Sequence, residues 1–181
     1  VRARNISSSA SIAKISEQSV QDNRGYQYVA GIHGLPGGYC KHNSPAFAIW
    51  HRPYIQGYEQ RLQDAVRETF VPYWDWTTRR AQQEGIPSIF TDETWQNPDT
   101  GEEEPNPLLS QPKALINGDP TSRQPQPLSD LAPLRALVQR ALLAPDYGSF
   151  TFELENPHNG LHVWVGGDMT QVVYAAYDPL F

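Results

Sequence analysis

The chain has 181 residues, with 20 acidic and 14 basic side chains and a formal net charge of −6. That length fits a single domain, and the acidic balance argues against a nucleic-acid binder. A single cysteine excludes an internal disulfide framework and a cysteine-rich zinc ribbon. The 20 aromatic residues (5 Trp, 9 Tyr, 6 Phe) argue for a packed core. No apolar run approaches the eighteen residues that a membrane-crossing helix requires.

At the N-terminus, Val1 to Arg4 contain neither an initiator methionine nor an apolar signal segment. Asn5-Ile6-Ser7 is a glycosylation sequon, which matters only in a secreted protein. Secreted and intracellular locations both stay open. A short helix is expected to end at His33-Gly34. The strongest helical signal covers residues 44–70, where Phe47, Trp50, Tyr54, Tyr58, Leu62, Val66 and Phe70 form one apolar stripe. Ser44 reads as its cap, followed by Pro45. Pro53 suggests a short first piece and a longer helix from about residue 51 to 53 onward, ended by Pro72.

Nine of the 16 prolines fall between Pro87 and Pro133. This stretch reads as a long loop, with a hairpin around Asp99 to Gly101 and short strands near residues 88–94. The acidic run Glu102 to Glu104 reads as a solvated turn. A second helix is expected over 130–144, with Asp130 as its cap, Leu134, Leu137, Val138, Ala141 and Leu142 buried, and Pro145 beyond its end. A third helix is expected to start at Asn156 as cap, with Pro157 in the first turn, and to stop at Gly166-Gly167.

All five histidines lie in two windows: His33, His42 and His51, then His158 and His162. The last two are four apart on an expected helix, so both imidazoles project from one face. Imidazole-only ligation without a His-Glu-x-x-His pattern favours copper over a zinc hydrolase site, although ligand type alone leaves zinc open.

The segment His42-Asn43-Ser44-Pro45-Ala46-Phe47-Ala48-Ile49-Trp50-His51-Arg52-Pro53-Tyr54 resembles the first copper block of tyrosinases and catechol oxidases, which are type-3 copper proteins. Pro72-Tyr73-Trp74-Asp75-Trp76 matches the segment that follows that block. Asn156 to Gly167, with His158 and His162, looks like the start of the second block. The resemblance covers roughly residues 26–76 and 150–181, separated by a Pro-rich region over 77–130. It implies a mainly α fold, a helical bundle around a dinuclear copper site with long irregular loops and a few short strands.

By that resemblance His33, His42 and His51 bind one copper (CuA), and His158 and His162 supply two of three ligands to the other (CuB). Dioxygen is the co-substrate, and phenolic small molecules are the substrates. The activity implied is oxidation of o-diphenols to o-quinones, with monophenol hydroxylation in some members. Cys40, two residues before His42, matches the cysteine that fungal tyrosinases and molluscan hemocyanins link to that histidine by a thioether; plant enzymes place it differently, which points to the fungal side. A small buried hydrophobe is the other reading of Cys40. Glu155 and Asn159 match residues that hold a proton-accepting water, although a first-turn carboxylate and a surface amide are equally good readings. Trp74, Trp76 and Trp164 read as packing, and Arg52 and Asp75 as partners in a buried polar network.

The family's sixth histidine follows an Asp-Pro-Leu-Phe-like segment, and the sequence here ends at Asp178-Pro179-Leu180-Phe181. The expectation is an incomplete bundle: the N-terminal part of one copper domain, with the last ligand on a second polypeptide or on a lost fragment. A hemocyanin-like oxygen carrier, or an inactive relative lacking the third CuB ligand, are the competing functions.

Overall fold

The computed structural model describes residues 2–35 and 39–181, with side chains from residue 8 onward. It is mainly helical. Seven α-helices are described: α1 (Arg2–Ser16), α2 (Tyr26–Gly34), α3 (Phe47–Ala65), α4 (Arg79–Glu84), α5 (Ala132–Leu142), α6 (Tyr147–Val165) and α7 (Val172–Ala175). One two-stranded antiparallel hairpin, β1 (Thr94–Gln96) with β2 (Glu103–Pro105), pairs Trp95 with Glu104. It encloses the expected Asp99–Gly101 turn. The strands begin only at residue 94, because Ser88–Phe90 is a 3-10 turn. Among the described residues, no helix is long and apolar enough to cross a membrane.

The 44–70 signal resolves into one continuous helix over a shorter span. Ser44 Oγ accepts from the Ala46 N–H, and the first helical residue is Phe47. Pro53 lies inside α3 without dividing it. It lacks the N–H that would reach the residue 49 carbonyl, but the rest of the ladder and the packing on α1 carry the helix through. The C-terminal end comes before Pro72. Val66 turns extended and Glu68 takes a positive φ of 61°. The Gln63 amide donates to the Thr69 carbonyl and the Glu59 carboxylate accepts from the Val71 N–H, so α3's own side chains fold the chain back. Phe70 is left exposed.

Other boundaries also move. Asp130 belongs to a 3-10 turn rather than capping α5, which has Pro in its first turn. Leu142, expected inside, is 70% exposed. The third expected helix starts ten residues earlier, at Tyr147, where the Asp146 carboxylate caps by accepting from the Ser149 N–H. Asn156 and Pro157 are interior to α6. Helix α1 had no strong signal, because its buried face is Ser8, Ser9 and Ser11 with Ile12 and Ile15. The Ser11 hydroxyl meets the Thr69 hydroxyl at 3.0 Å, so small polar groups replace apolar bulk there. The sequon Asn5 falls in α1, and its side chain lies outside the described residues.

Two apolar clusters build the body. One joins α1, α2 and α3 through Ile12, Ile15, Tyr26, Ala30 and Leu62, with Leu108 and Tyr177. The other joins α6 to the loops through Leu131, Trp164, Val165, Met169 and Ala175, with Trp74 and Trp76 packed on it. The segment after α6 runs between them, giving Ala175 to one cluster and Ala176 and Tyr177 to the other. The Trp residues thus pack as expected. Arg52 and Asp75 do not form a buried network: both are exposed, and Asp75 caps its own turn through Thr77.

Candidate metal centre

Three elements and one loop bring all five histidines together. His33 lies at the end of α2, His51 in the second turn of α3, and His158 with His162 on α6. His42 sits on the loop before α3. His33, His42 and His51 each offer a ligand nitrogen within 4.8 Å of the others. Their ring centroids are 5.0–5.4 Å apart. His158 and His162 form a second group, 4.5 Å apart. The groups face each other, with His158 6.0 Å from His42 and 6.1 Å from His51.

The orientation of four of the five rings is set by the atom opposite Nδ1. His51 Nδ1 is 2.8 Å from the Phe47 carbonyl, His33 Nδ1 3.3 Å from the Val172 carbonyl, and His162 Nδ1 2.9 Å from the Met169 carbonyl. His158 Nδ1 lies 3.0 Å from the Asn159 Oδ1. Each oxygen can only accept, so in each ring Nδ1 carries the proton and Nε2 is a bare lone pair. Those lone pairs point at one another: His33 to His51 at 3.2 Å and His162 to His158 at 3.1 Å. Two acceptors facing at that distance have no hydrogen to share. Two nitrogens bound at about 2.0–2.1 Å to one tetrahedral ion stand about 3.3 Å apart, so a shared metal ion fits each pair. Nδ1 tied to a carbonyl with Nε2 facing inward is the arrangement that fixes a metal-binding imidazole.

Burial keeps these rings neutral. Desolvation, reinforced by neighbouring imidazoles, lowers the pKa of His33 and His158 to about 3. Desolvation also lowers His162, to about 4. His42 and His51 shift the same way, with the Glu155 carboxylate opposing the shift at His42. Neutral imidazole is the form that binds metal.

Glu155 is buried and its Oε1 accepts from the Asn43 N–H at 2.7 Å. Asn43 holds a positive φ of 52°, which bends the chain directly after His42. Glu155 and Asn159 both border a cleft of about 230 Å³ with His33, His42, His158 and His162. Cys40 is buried with a free thiol whose pKa is raised by burial. A second cleft, apolar and of about 520 Å³, is lined by His51, His158 and His162 with Phe47, Trp74 and Leu161, and shares His158 and His162 with the first.

Several contributors were not legible from residue type. The Val172 and Met169 groups act through their backbone, which any side chain could supply. Phe47 contacts both histidine groups, 4.6 Å from His51 and 4.8 Å from His158, yet reads in sequence as one more stripe residue. Phe181 likewise spans the two, 4.6 Å from His33 and 5.6 Å from His162. Gly34 admits the contact at His33: a Cβ there would stand 2.5 Å from the Val173 Cα.

Residues 23–181 match the family model described as the common central domain of tyrosinase. Hemocyanin 2 of Megathura crenulata is 34% identical over 170 residues, covering 86% of this chain and 5% of that much longer protein. The solved deoxygenated hemocyanin of Rapana thomasiana superposes with a TM-score of 0.85 at 27% identity, over 100% of this chain and 48% of that one. The tyrosinase of Burkholderia thailandensis shares the fold, with a TM-score of 0.83 at 22% identity over 99% of this chain and 54% of that one. The chain thus spans about half the length of these solved relatives. Hemocyanin 2 of Megathura crenulata and the hemocyanin beta-C chain unit D of Helix pomatia, at 34% and 30% identity, are molluscan proteins, so the expected likeness to the fungal side is not shown. With the family model covering most of the sequence and five histidines arranged as two facing groups, the chain belongs to the tyrosinase family of type-3 copper proteins, a family that implies a dinuclear copper centre.

Proposed function

We propose that this chain forms most of the copper-binding core of an oxidoreductase that uses dioxygen to oxidise o-diphenols to o-quinones, with monophenol hydroxylation as a further activity. The observation that carries the proposal is the pair of facing imidazole groups, opening on an apolar cleft of about 520 Å³. That volume lies within the usual range for small-molecule sites. His33, His42 and His51 would hold one copper, and His158 and His162 the other. A bound copper pair supplies dioxygen binding and electron transfer.

The remaining work belongs to the chain. Phe47 and Leu161 offer apolar surface to a phenolic ring, and Trp74 limits the cleft. Glu155 and Asn159 border the adjoining cleft, which shares His158 and His162 with the apolar one; from there Glu155 would accept the phenolic proton through a water held with Asn159, since a phenol with pKa near 10 must lose its proton to bind as phenolate. Asn159 also steadies the His158 ring through Nδ1. Cys40 forms a thioether to His42, with loss of two hydrogen atoms to dioxygen, which would fix that ring as carbonyls fix the others. The Cys40 spacing is also the support for placing the chain nearer the fungal enzymes than the plant ones. The second imidazole group has two members against three in the first. We infer a sixth ligand supplied by a second polypeptide.

An oxygen carrier is the second reading, favoured by the 34% identity to a hemocyanin. A chromogenic o-diphenol assay with oxygen uptake separates the readings. Steady turnover by the copper-loaded protein, reduced more for monophenols than for diphenols by Glu155→Gln, supports the enzyme. Reversible oxygen binding without turnover supports the carrier. Copper well below two per chain, with neither activity, supports an inactive relative.

A further inference from the structure

The carbonyls that orient His33 and His162 come from one short segment, although these two histidines belong to opposite groups. Met169 lies in the turn Gly167–Thr170 and Val172 begins α7. His51 and His158 differ in this respect: their Nδ1 partners, Phe47 and Asn159, lie on their own helices. One ring of each group is therefore set locally, and one by the segment after α6.

What holds that segment is Asp168. Its Oδ2 accepts from the Ser122 N–H at 2.8 Å, the Ser122 hydroxyl at 3.0 Å and the Lys113 ammonium at 3.1 Å. Its own N–H donates to the Ser122 carbonyl at 3.0 Å. Its carbonyl accepts from the Gln171 N–H at 3.1 Å, and the Gln171 carbonyl accepts from Ala175 at 2.8 Å, which ties the anchor to α7. Lys113 is itself 5% exposed, donates to the Pro120 carbonyl and lies 5.4 Å from the Tyr174 ring. Gly166 and Gly167 have φ of 70° and 57° and face Gln124 and Ser122, leaving no room for a side chain. The long proline-rich connection thus grips the segment at Asp168.

We propose that Asp168, clamped by Lys113 and Ser122, is a positioning residue for both halves of the metal centre, because it fixes the Met169 and Val172 carbonyls against His162 and His33. Asp168 is partly buried and its Oδ2 is held by three donors, and removing the carboxylate leaves the buried Lys113 ammonium without its counter-charge, with only the Pro120 carbonyl and the Tyr174 ring beside it. Outer-shell partners of metal-binding histidines typically change metal affinity ten- to a hundred-fold. The proposal rests on the copper reading for its consequence but not for its test.

The test is nitrogen NMR of the imidazoles in isotope-labelled, metal-free protein, which reports the protonated nitrogen of each ring. In the unsubstituted chain His33, His51, His158 and His162 carry the proton on Nδ1. In Asp168→Ala, His33 and His162 lose that single tautomer, while His51 and His158 keep it, and copper affinity falls roughly ten- to a hundred-fold. Unchanged His33 and His162 in a folded variant would overturn the proposal, as would equal loss at all four rings, the mark of general loosening. Should Asp168→Ala fail to fold, Lys113→Met, which keeps both Ser122 hydrogen bonds, is judged by the same pattern. Failure of the unsubstituted protein to take up copper would instead overturn the copper reading alone.

Discussion

At the residue scale, each imidazole is defined by its two ends. At His33, His51, His158 and His162 a carbonyl or amide oxygen at Nδ1 decides that Nε2 is bare, and burial decides that it stays bare as the solution acidifies. The consequence for stability has a definite sign. Below the usual histidine value of 6.5, the unfolded chain takes up protons that the folded chain refuses until about 4 at His162 and about 3 at His33 and His158. The unfolded state then binds more protons, so stability falls as pH drops from about 6.5 towards 3, and these groups contribute no pH dependence above that window. Thermal unfolding of the metal-free protein should accordingly show a lower Tm at pH 5 than at pH 7, and a smaller difference in His33→Asn. A flat profile between those values would contradict the burial of the cluster. Cys40 offers a second check, because a thioether makes the intact chain lighter by two hydrogen atoms. Mass spectrometry of copper-exposed protein should find that loss, and Cys40→Ala should abolish it.

At the element scale, side chains that report on chemistry were legible and helix boundaries were not. The spacing of His158 and His162 placed both on one helical face, as found. The start of α6 is masked in sequence because Asn156 and Pro157 imitate a cap and first turn, whereas Asp146 is the residue that accepts from the Ser149 N–H. Pro53 and Pro157 both sit inside helices that packing holds together. Helix α1 escaped notice since serines cover its buried face. The long connection after Pro87 read as irregular surface, and its grip on Asp168 depends on contacts 46 and 55 residues away in sequence. The α5 stripe shows the cost of taking periodicity alone. Leu142 fits the pattern but is 70% exposed, while Leu131, just before the helix, is 0% exposed. Leu131→Ala should therefore cost about 2–5 kcal/mol, and Leu142→Ala should stay within about 0.5 kcal/mol. Urea unfolding compares the two, and equal effects would refute the assigned packing.

At the scale of the whole molecule, two apolar clusters flank the facing histidine groups through the helices that carry them, and the segment carrying Met169 and Val172 joins the clusters. The mainly helical fold class and the convergence of the five histidines could be read from the sequence because the motifs that carry them are written in side chains. The shared segment could not, because its carbonyls are common to every residue. The two groups are unequal, three imidazoles against two, and their affinities should differ accordingly. The most direct measurement is the copper content of the reconstituted, metal-stripped chain, compared with that of His51→Ala and His162→Ala. The account predicts one tightly held copper per chain, lost in His51→Ala, and a second, weakly held one at the two-imidazole group, lost in His162→Ala. Copper uptake unaffected by His51→Ala, or less than one copper bound by the unsubstituted chain, would contradict it.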